Sequence, residues 1–403
     1  MRILALVAVL GPGLLAGLSD DDPAGVTTYS VLGAQHGYQL LWVLLLSTIA
    51  LVVFHSLGAR MGVVTGQGLI GLIRQRYGVR RAAAAVAVLL LANMGTTCAE
   101  FAGIAAGFEL FGVSRYVSVP TAAIVVSVLV LRGSFHRVEH ILMGLATVFL
   151  AYIAAGMLGD PDWSQALKGL VVPTMPLTRD AVLIATATIG TTLAPWGLSF
   201  IQSYAVDKKL IPADLRYERI DVVTGAVLTG VIGLFVVVAC ASTLHVQGVR
   251  INSAADATGA LKPLAGNLAS ALFGIGLIGA GLLAAAILPL STAYSVCEFT
   301  GSEAALDDEI ADALLFYITY MVVTGVAALI VLVPGAPLIP ILVLSQVLNA
   351  VLLLPLLAFM YGIARDRDLM GAYTATRTAA ALYLATIALI AVCVVALVVL
   401  GLT

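Results

Sequence analysis

Leu18-Ser19-Asp20-Asp21-Asp22-Pro23-Ala24-Gly25 sets three consecutive carboxylates, a proline and a glycine inside an apolar stretch spanning residues 3–33. Carboxylates at membrane depth are costly, so by default they mark a site. Proline removes an amide donor and glycine loosens the helix, so this stretch reads as unwound backbone. Unwound backbone frees carbonyl oxygens and half-helix ends for an ion. A second interruption, Gly190-Thr191-Thr192-Leu193-Ala194-Pro195-Trp196-Gly197, falls in the apolar stretch 180–206. Paired breaks at corresponding positions of two halves point to a transporter binding site. The alternative is a proline kink in an inert helix, which membrane proteins tolerate. The three carboxylates weigh against that alternative at the first break.

Outward from these breaks, further apolar runs fall at 38–60, 82–110, 116–132, 138–158, 220–245, 266–298, 311–334, 337–364 and 378–402. Each approaches the roughly 20 residues needed to cross a bilayer. Eleven spans result, numbered 1 to 11, with spans 1 and 6 broken and five spans apart. The expected fold is all-α: an inverted repeat of spans 1–5 and 6–10, with span 11 extra. The whole chain, 1–403, reads as one transport domain. Residues 1–158 form the first repeat, 178–364 the second, and 365–403 a loop and span 11.

Composition agrees. Hydrophobic residues make up 61% of the 403, charged residues 10%, and the mean hydropathy is +1.08. A soluble chain carries roughly 25% charged residues, so these are too few to cover a water-facing surface. The net charge of −2 comes without a long basic run, so no nucleic-acid partner is expected. Cys98, Cys240, Cys297 and Cys393 lie in apolar stretches without CxxC spacing, which suggests neither a disulfide framework nor a zinc site. With a cytoplasmic N-terminus, 15 of the 20 Lys and Arg fall on the inner side, which puts the C-terminus outside a multi-pass cell-membrane protein. A signal peptide is the other reading of the first twenty residues. Gly11-Pro12-Gly13 interrupts its apolar run, and cleavage would remove a span that the repeat requires.

Other polar groups at membrane depth are few. Gln346 and Asn349 lie one helical turn apart and present oxygens to a hard cation or its waters, or else hydrogen-bond a neighbouring helix. Glu100, after Thr96, Thr97 and Cys98, is either a proton or ion group or half of a buried structural pair. Glu298 and Asp312, near span ends, read as solvated. His136-Arg137-Val138-Glu139-His140 matches an inverted zinc-protease pattern. It lies at a span junction among arginines with no third ligand in sight, and reads as an amphipathic helix start. No GxxxxGK[ST] run supports ATP-driven pumping.

These motifs carry a resemblance. Gly11-Pro12-Gly13 through Asp22-Pro23-Ala24-Gly25 resembles the first helix of the Nramp (natural resistance-associated macrophage protein) divalent-metal transporters, whose motif there is Asp-Pro-Gly-Asn. Gly37-Tyr38-Gln39-Leu40-Leu41-Trp42 is similar to the family's second helix. Ser345-Gln346-Val347 and Asp366-Arg367-Asp368-Leu369-Met370-Gly371 are similar to its span 10 and following loop. Arg137-Val138-Glu139 resembles its span 4–5 loop. The resemblance implies the LeuT-like inverted-repeat fold and metal import by alternating access.

The departures narrow that implication. The family's aspartate corresponds to Asp22, but its asparagine corresponds to Gly25. Its Met-Pro-His in span 6 corresponds to Ala194-Pro195-Trp196, without thioether or histidine. Its span 3 Asp-x-x-Glu corresponds to Thr97-Cys98-Ala99-Glu100. No arginine stands between Ile310 and Ile341. This set resembles the divergent Nramp-related magnesium transporters, in which the ion stays partly hydrated and proton coupling is absent.

The expected metal ligands are therefore Asp22, Gly25, Thr191, Ala194 and Gln346, the glycine and alanine contributing backbone and space. Asp20, Asp21, Thr192 and Asn349 would serve the hydration shell, and Glu100 and Trp196 are the proton or structural positions. The expected function is carriage of Mg²⁺ or Mn²⁺ into the cell without proton coupling. The alternative is a proton-coupled Mn²⁺/Fe²⁺ importer. An amino-acid transporter is disfavoured because three aspartates repel a carboxylate, and a membrane enzyme rests only on the histidine motif. Neither a resident cofactor nor an obligate protein partner is expected. The partners are the bilayer and the transported ion.

Overall fold

The computed structural model describes residues 20–132, 147–302 and 312–402. Its helices are α1 (Pro23–His36), α2 (Leu41–Thr65), α3 (Leu69–Tyr77), α4 (Val79–Glu109), α5 (Arg115–Leu131), α6 (Ala151–Leu158) and α7 (Trp163–Val171). They are followed by α8 (Arg179–Thr192), α9 (Pro195–Asp207), α10 (Leu215–Cys240), α11 (Ala269–Thr300), α12 (Leu314–Val331), α13 (Leu338–Ala364) and α14 (Arg377–Leu402). Among the described residues eight segments are long and apolar enough to cross a membrane, and Arg115–Leu131 is a shorter apolar helix. The other two expected spans, 3–33 and 138–158, lie partly outside the described residues, and Gly11-Pro12-Gly13 lies wholly outside them. The histidine motif at 136–140 lies wholly outside them. Asp312 is exposed, as its position at a span end suggests.

Both expected breaks are present. Asp21 and Asp22 are non-helical, and α1 starts at Pro23 with Asp22 as N-cap. Asp22 Oδ1 accepts the Gly25 amide at 2.5 Å. Pro23 occupies the first helical position, where its missing N–H costs nothing. The second break is shorter. The helix α8 ends at Thr192, Leu193 and Ala194 are non-helical, and α9 restarts with Pro195 at its first position. Ala194 has extended dihedrals and offers no side-chain cap, so the α9 N-terminus keeps free amides.

The broken helices occupy the centre. The residues of α1 are buried from Pro23 through Ala34, and α8 and α9 are buried along nearly their whole length. Around them pack α2, α4, α10, α11 and α13, while α14 runs against α8 and α13 at the periphery. A helix apolar on all faces belongs either in a protein core or in lipid. The outward side chains of α12 and α14, such as Leu329, Val392 and Val395, are exposed leucines and valines suited to lipid. At the rim, Asp162 caps α7 by accepting the Gln165 amide at 2.9 Å, and these bonds hold its carboxyl below the usual range. The four cysteines are free and buried.

Candidate metal site at the paired breaks

The two breaks meet at Gly25. A Cβ built on Gly25 would stand 2.7 Å from the Asp20 carbonyl oxygen, 3.2 Å from Asp22 Oδ1 and 3.2 Å from Thr191 Oγ1. A backbone carbonyl, a carboxylate and a hydroxyl from two chain segments thus converge on one point. The sequence predicts backbone and space from Gly25. Here it lets the oxygens crowd together, and a side chain would be driven against backbone.

Asp20, Asp21 and Asp22 are 1%, 2% and 4% exposed, and Glu100 is fully buried. Neither carboxyl oxygen of Asp20 or Asp21 has a hydrogen-bond partner, and Thr191 Oγ1 has none. Glu100 on α4 lies beside Asp22 and has no other partner for its carboxyl oxygens. The group beside Glu100 is thus a second acid, Asp22, and not a basic partner. Buried polar groups left unpaired cost about 1–3 kcal/mol each, more when charged. A cluster of orphaned oxygen acceptors without a donor is what a cation stabilises. The C-terminal end of α8 adds carbonyls that its own helix cannot satisfy and the negative end of its dipole.

The remaining expected residues divide. Thr192 is turned away, since its hydroxyl donates to the Thr188 carbonyl at 2.8 Å and meets Tyr29 OH at 2.9 Å, tying α8 to α1. Asn349 takes the interhelical role: its Nδ2 donates to Thr96 Oγ1 on α4 at 2.9 Å and to Gln346 Oε1 at 2.9 Å. The Gln346 oxygen is thus engaged by Asn349, while its Nε2 donates to Ser345 Oγ at 3.1 Å. Ala194 is buried at the start of α9. Trp196 is buried beside Phe200, and its carbonyl accepts Ser291 Oγ at 3.1 Å. Among the described residues no three of His, Cys, Asp and Glu form a ready-made metal cage.

The reading of Glu298 as solvated is corrected. Its Oε1 accepts Ser203 Oγ at 2.5 Å and its Oε2 accepts the Ile70 amide at 3.1 Å. It is half-buried and caps the N-terminus of α3 while gripping α9. With the contacts Trp196–Ser291 and Ser199–Ser295 it completes a polar seam between α9 and α11. Serines one helical turn apart signal such a seam, but only the pairing of the two helices reveals it. Sequence reasoning also passed over His55, a histidine inside span 2 whose mere presence at that depth is a signal.

A bundle with two broken central helices and oxygen acceptors gathered between them defines a multi-pass membrane protein of the LeuT-like fold. Solved structures agree. The Eremococcus coleocola manganese transporter superposes with a TM-score of 0.77 at 19% identity, over 96% of this chain and 85% of that one. Mhp1, a nucleobase-cation-symport-1 family transporter, superposes with a TM-score of 0.60 at 16% identity, covering 97% of this chain and 91% of that one. The family described as "Natural resistance-associated macrophage protein-like" matches residues 13–400, and the chain belongs to this Nramp family. Relatives include the divalent metal cation transporter MntH of Granulibacter bethesdensis, 28% identical over 90% of this chain and 82% of that protein. MntH of Pectobacterium carotovorum subsp. carotovorum is 29% identical over 91% and 87%.

Proposed function

We propose that this chain carries hard divalent cations, Mg²⁺ or Mn²⁺, across the cell membrane into the cell by alternating access, without proton coupling. The observation that carries the reading is the convergence of the Asp20 carbonyl, Asp22 carboxylate and Thr191 hydroxyl around Gly25. All three are hard oxygen donors. Mg²⁺ demands near-octahedral oxygen ligation, sheds water reluctantly and is held by one or two carboxylates plus waters. Asp20 and Asp21, with four unpartnered carboxyl oxygens, suit the outer hydrogen bonds of such a hydrated ion. Relatives at 28–29% identity bear the name divalent metal cation transporter, which supports metal as the cargo.

Selectivity follows from position 194. Thioether ligands favour soft metals, whereas carboxylate, carbonyl and water favour Mg²⁺, Ca²⁺ and Mn²⁺. Ala194 supplies no sulfur at the break. In proteoliposomes the wild type is expected to move Mg²⁺ and Ala194→Met to shift preference toward Cd²⁺. Wild-type Cd²⁺ flux with neither Mg²⁺ flux nor Mg²⁺ competition would defeat the hard-ion reading.

Proton independence rests on missing relays: Thr97, Trp196 and the absence of arginine between Ile310 and Ile341. One specific observation favours the second reading, a proton-coupled Mn²⁺/Fe²⁺ importer. Glu100 stands beside Asp22 and could take a proton displaced by the ion. A pH dye inside the vesicles separates the two. The expected result is metal uptake without acidification, and acidification in step with Mn²⁺ uptake would establish the second reading.

A further inference from the structure

One buried imidazole takes no part in the convergence around Gly25. His55, in α2, is 1% exposed, and its Nε2 has no hydrogen-bond partner. It faces Gly197, in the first turn of α9. A Cβ built on Gly197 would stand 3.1 Å from His55 Nε2 and 3.8 Å from Asp20 Oδ1. No ion pair joins the two groups, and both carboxyl oxygens of Asp20 are themselves orphaned. An unpartnered ring nitrogen and a carboxylate therefore face the same small gap at Gly197.

Leaving both groups unpaired in a core is costly, and the gap is polar on both sides. The absent side chain of Gly197 is what keeps it open. With the N-terminus on the cytoplasmic side, as the charge bias implies, the position lies inward of the Asp22 site, since Asp20 precedes the first break and α9 leads from the second break toward Lys208 and Lys209. Imidazole and carboxylate together suit divalent transition metals better than Mg²⁺.

We propose that His55 Nε2 and the Asp20 carboxylate form a second cation position, one step inward of Asp22, that contacts a divalent transition metal through the imidazole nitrogen. The proposal rests on the reading of the paired breaks as an ion path. It makes His55 a selectivity residue: the chain has no sulfur at position 194, but it retains one nitrogen ligand further along. Mg²⁺, which prefers oxygen and water, gains little there, whereas Co²⁺ or Mn²⁺ gains a nitrogen bond.

The test is electron spin-echo modulation on the full-length protein loaded with Mn²⁺, beside competition between Co²⁺ and Mg²⁺ in proteoliposomes. Expected are ¹⁴N modulation of imidazole type in the wild type, its loss in His55→Gln, and its retention in His36→Ala at the far end of α1. The Co²⁺ over Mg²⁺ preference should fall about tenfold or more in His55→Gln, the usual cost of disturbing a metal's histidine shell. His55→Ala is read in the same way if the glutamine variant does not fold. Absence of nitrogen modulation in the wild type, or its persistence in the His55 variants, overturns the proposal. So does an equal loss of both ions, which marks a packing role. If the wild type moves no Mg²⁺, the hard-ion reading falls, while the nitrogen signal still decides this one.

Discussion

Asp22→Ala is expected to reduce divalent metal uptake in proteoliposomes to the level of protein-free vesicles, while the protein remains monodisperse in detergent. Asp22 is the one carboxylate that both caps α1 and faces Thr191 of the second break across Gly25. Its loss removes the anion at the convergence point and leaves carbonyl and hydroxyl dipoles to hold a divalent ion alone. The same change costs α1 its N-cap, worth about 0.5–2 kcal/mol, which a core of this size absorbs. Asp22→Asn separates the effects, because asparagine caps helices as well as aspartate does. It should restore the melting temperature and leave uptake at background. Uptake near wild type in either well-folded variant would remove Asp22 from the site.

Gly190→Ala is the second large effect, and it acts through packing. A Cβ on Gly190 would stand 1.9 Å from the Gln346 carbonyl oxygen and 2.7 Å from the Ala350 amide nitrogen. Both are backbone atoms of α13, so no rotamer change can make way and the helices must separate. Overpacking of this kind costs about 1–3 kcal/mol, occasionally more. Gly190 lies next to Thr191, so the displacement also moves the hydroxyl away from Asp22. A lower melting temperature together with weakened metal uptake is expected. Gly325→Ala is the control, because its Cβ would meet nothing within 4 Å. A Gly190→Ala protein that melts and transports like wild type would show that α8 and α13 do not pack this closely.

The two breaks were legible because their chemistry is local. Pro23 and Pro195 cannot donate an amide wherever they sit, and Asp20, Asp21 and Asp22 are costly in any apolar segment. The spans were legible because hydrocarbon thickness sets a length that appears in the order of residues. The assignment of single side chains was less legible. Thr191 and Thr192 are adjacent and chemically alike, yet one is an orphan facing Gly25 and the other is bound to Tyr29. Successive residues on a helix point about 100° apart, and only the partner helix decides which direction is the site. Gln346 and Asn349 share a face as their spacing implies, but what covers that face is Thr96, a residue some 250 positions distant.

By itself, then, the order of residues determined the membrane class, the position of both interruptions and the hard-oxygen character of Asp22 and its neighbours, since these depend on composition, length and backbone chemistry. Tertiary structure alone decided which groups meet. It brought Glu100 against Asp22, sent Glu298 to cap α3, and aimed His55 and Asp20 at one glycine. The physical reason is that each such contact joins helices far apart in the chain. Its geometry is set by close approach at glycines such as Gly25, Gly190 and Gly197, and the absence of a side chain carries no information about which neighbour will fill the space.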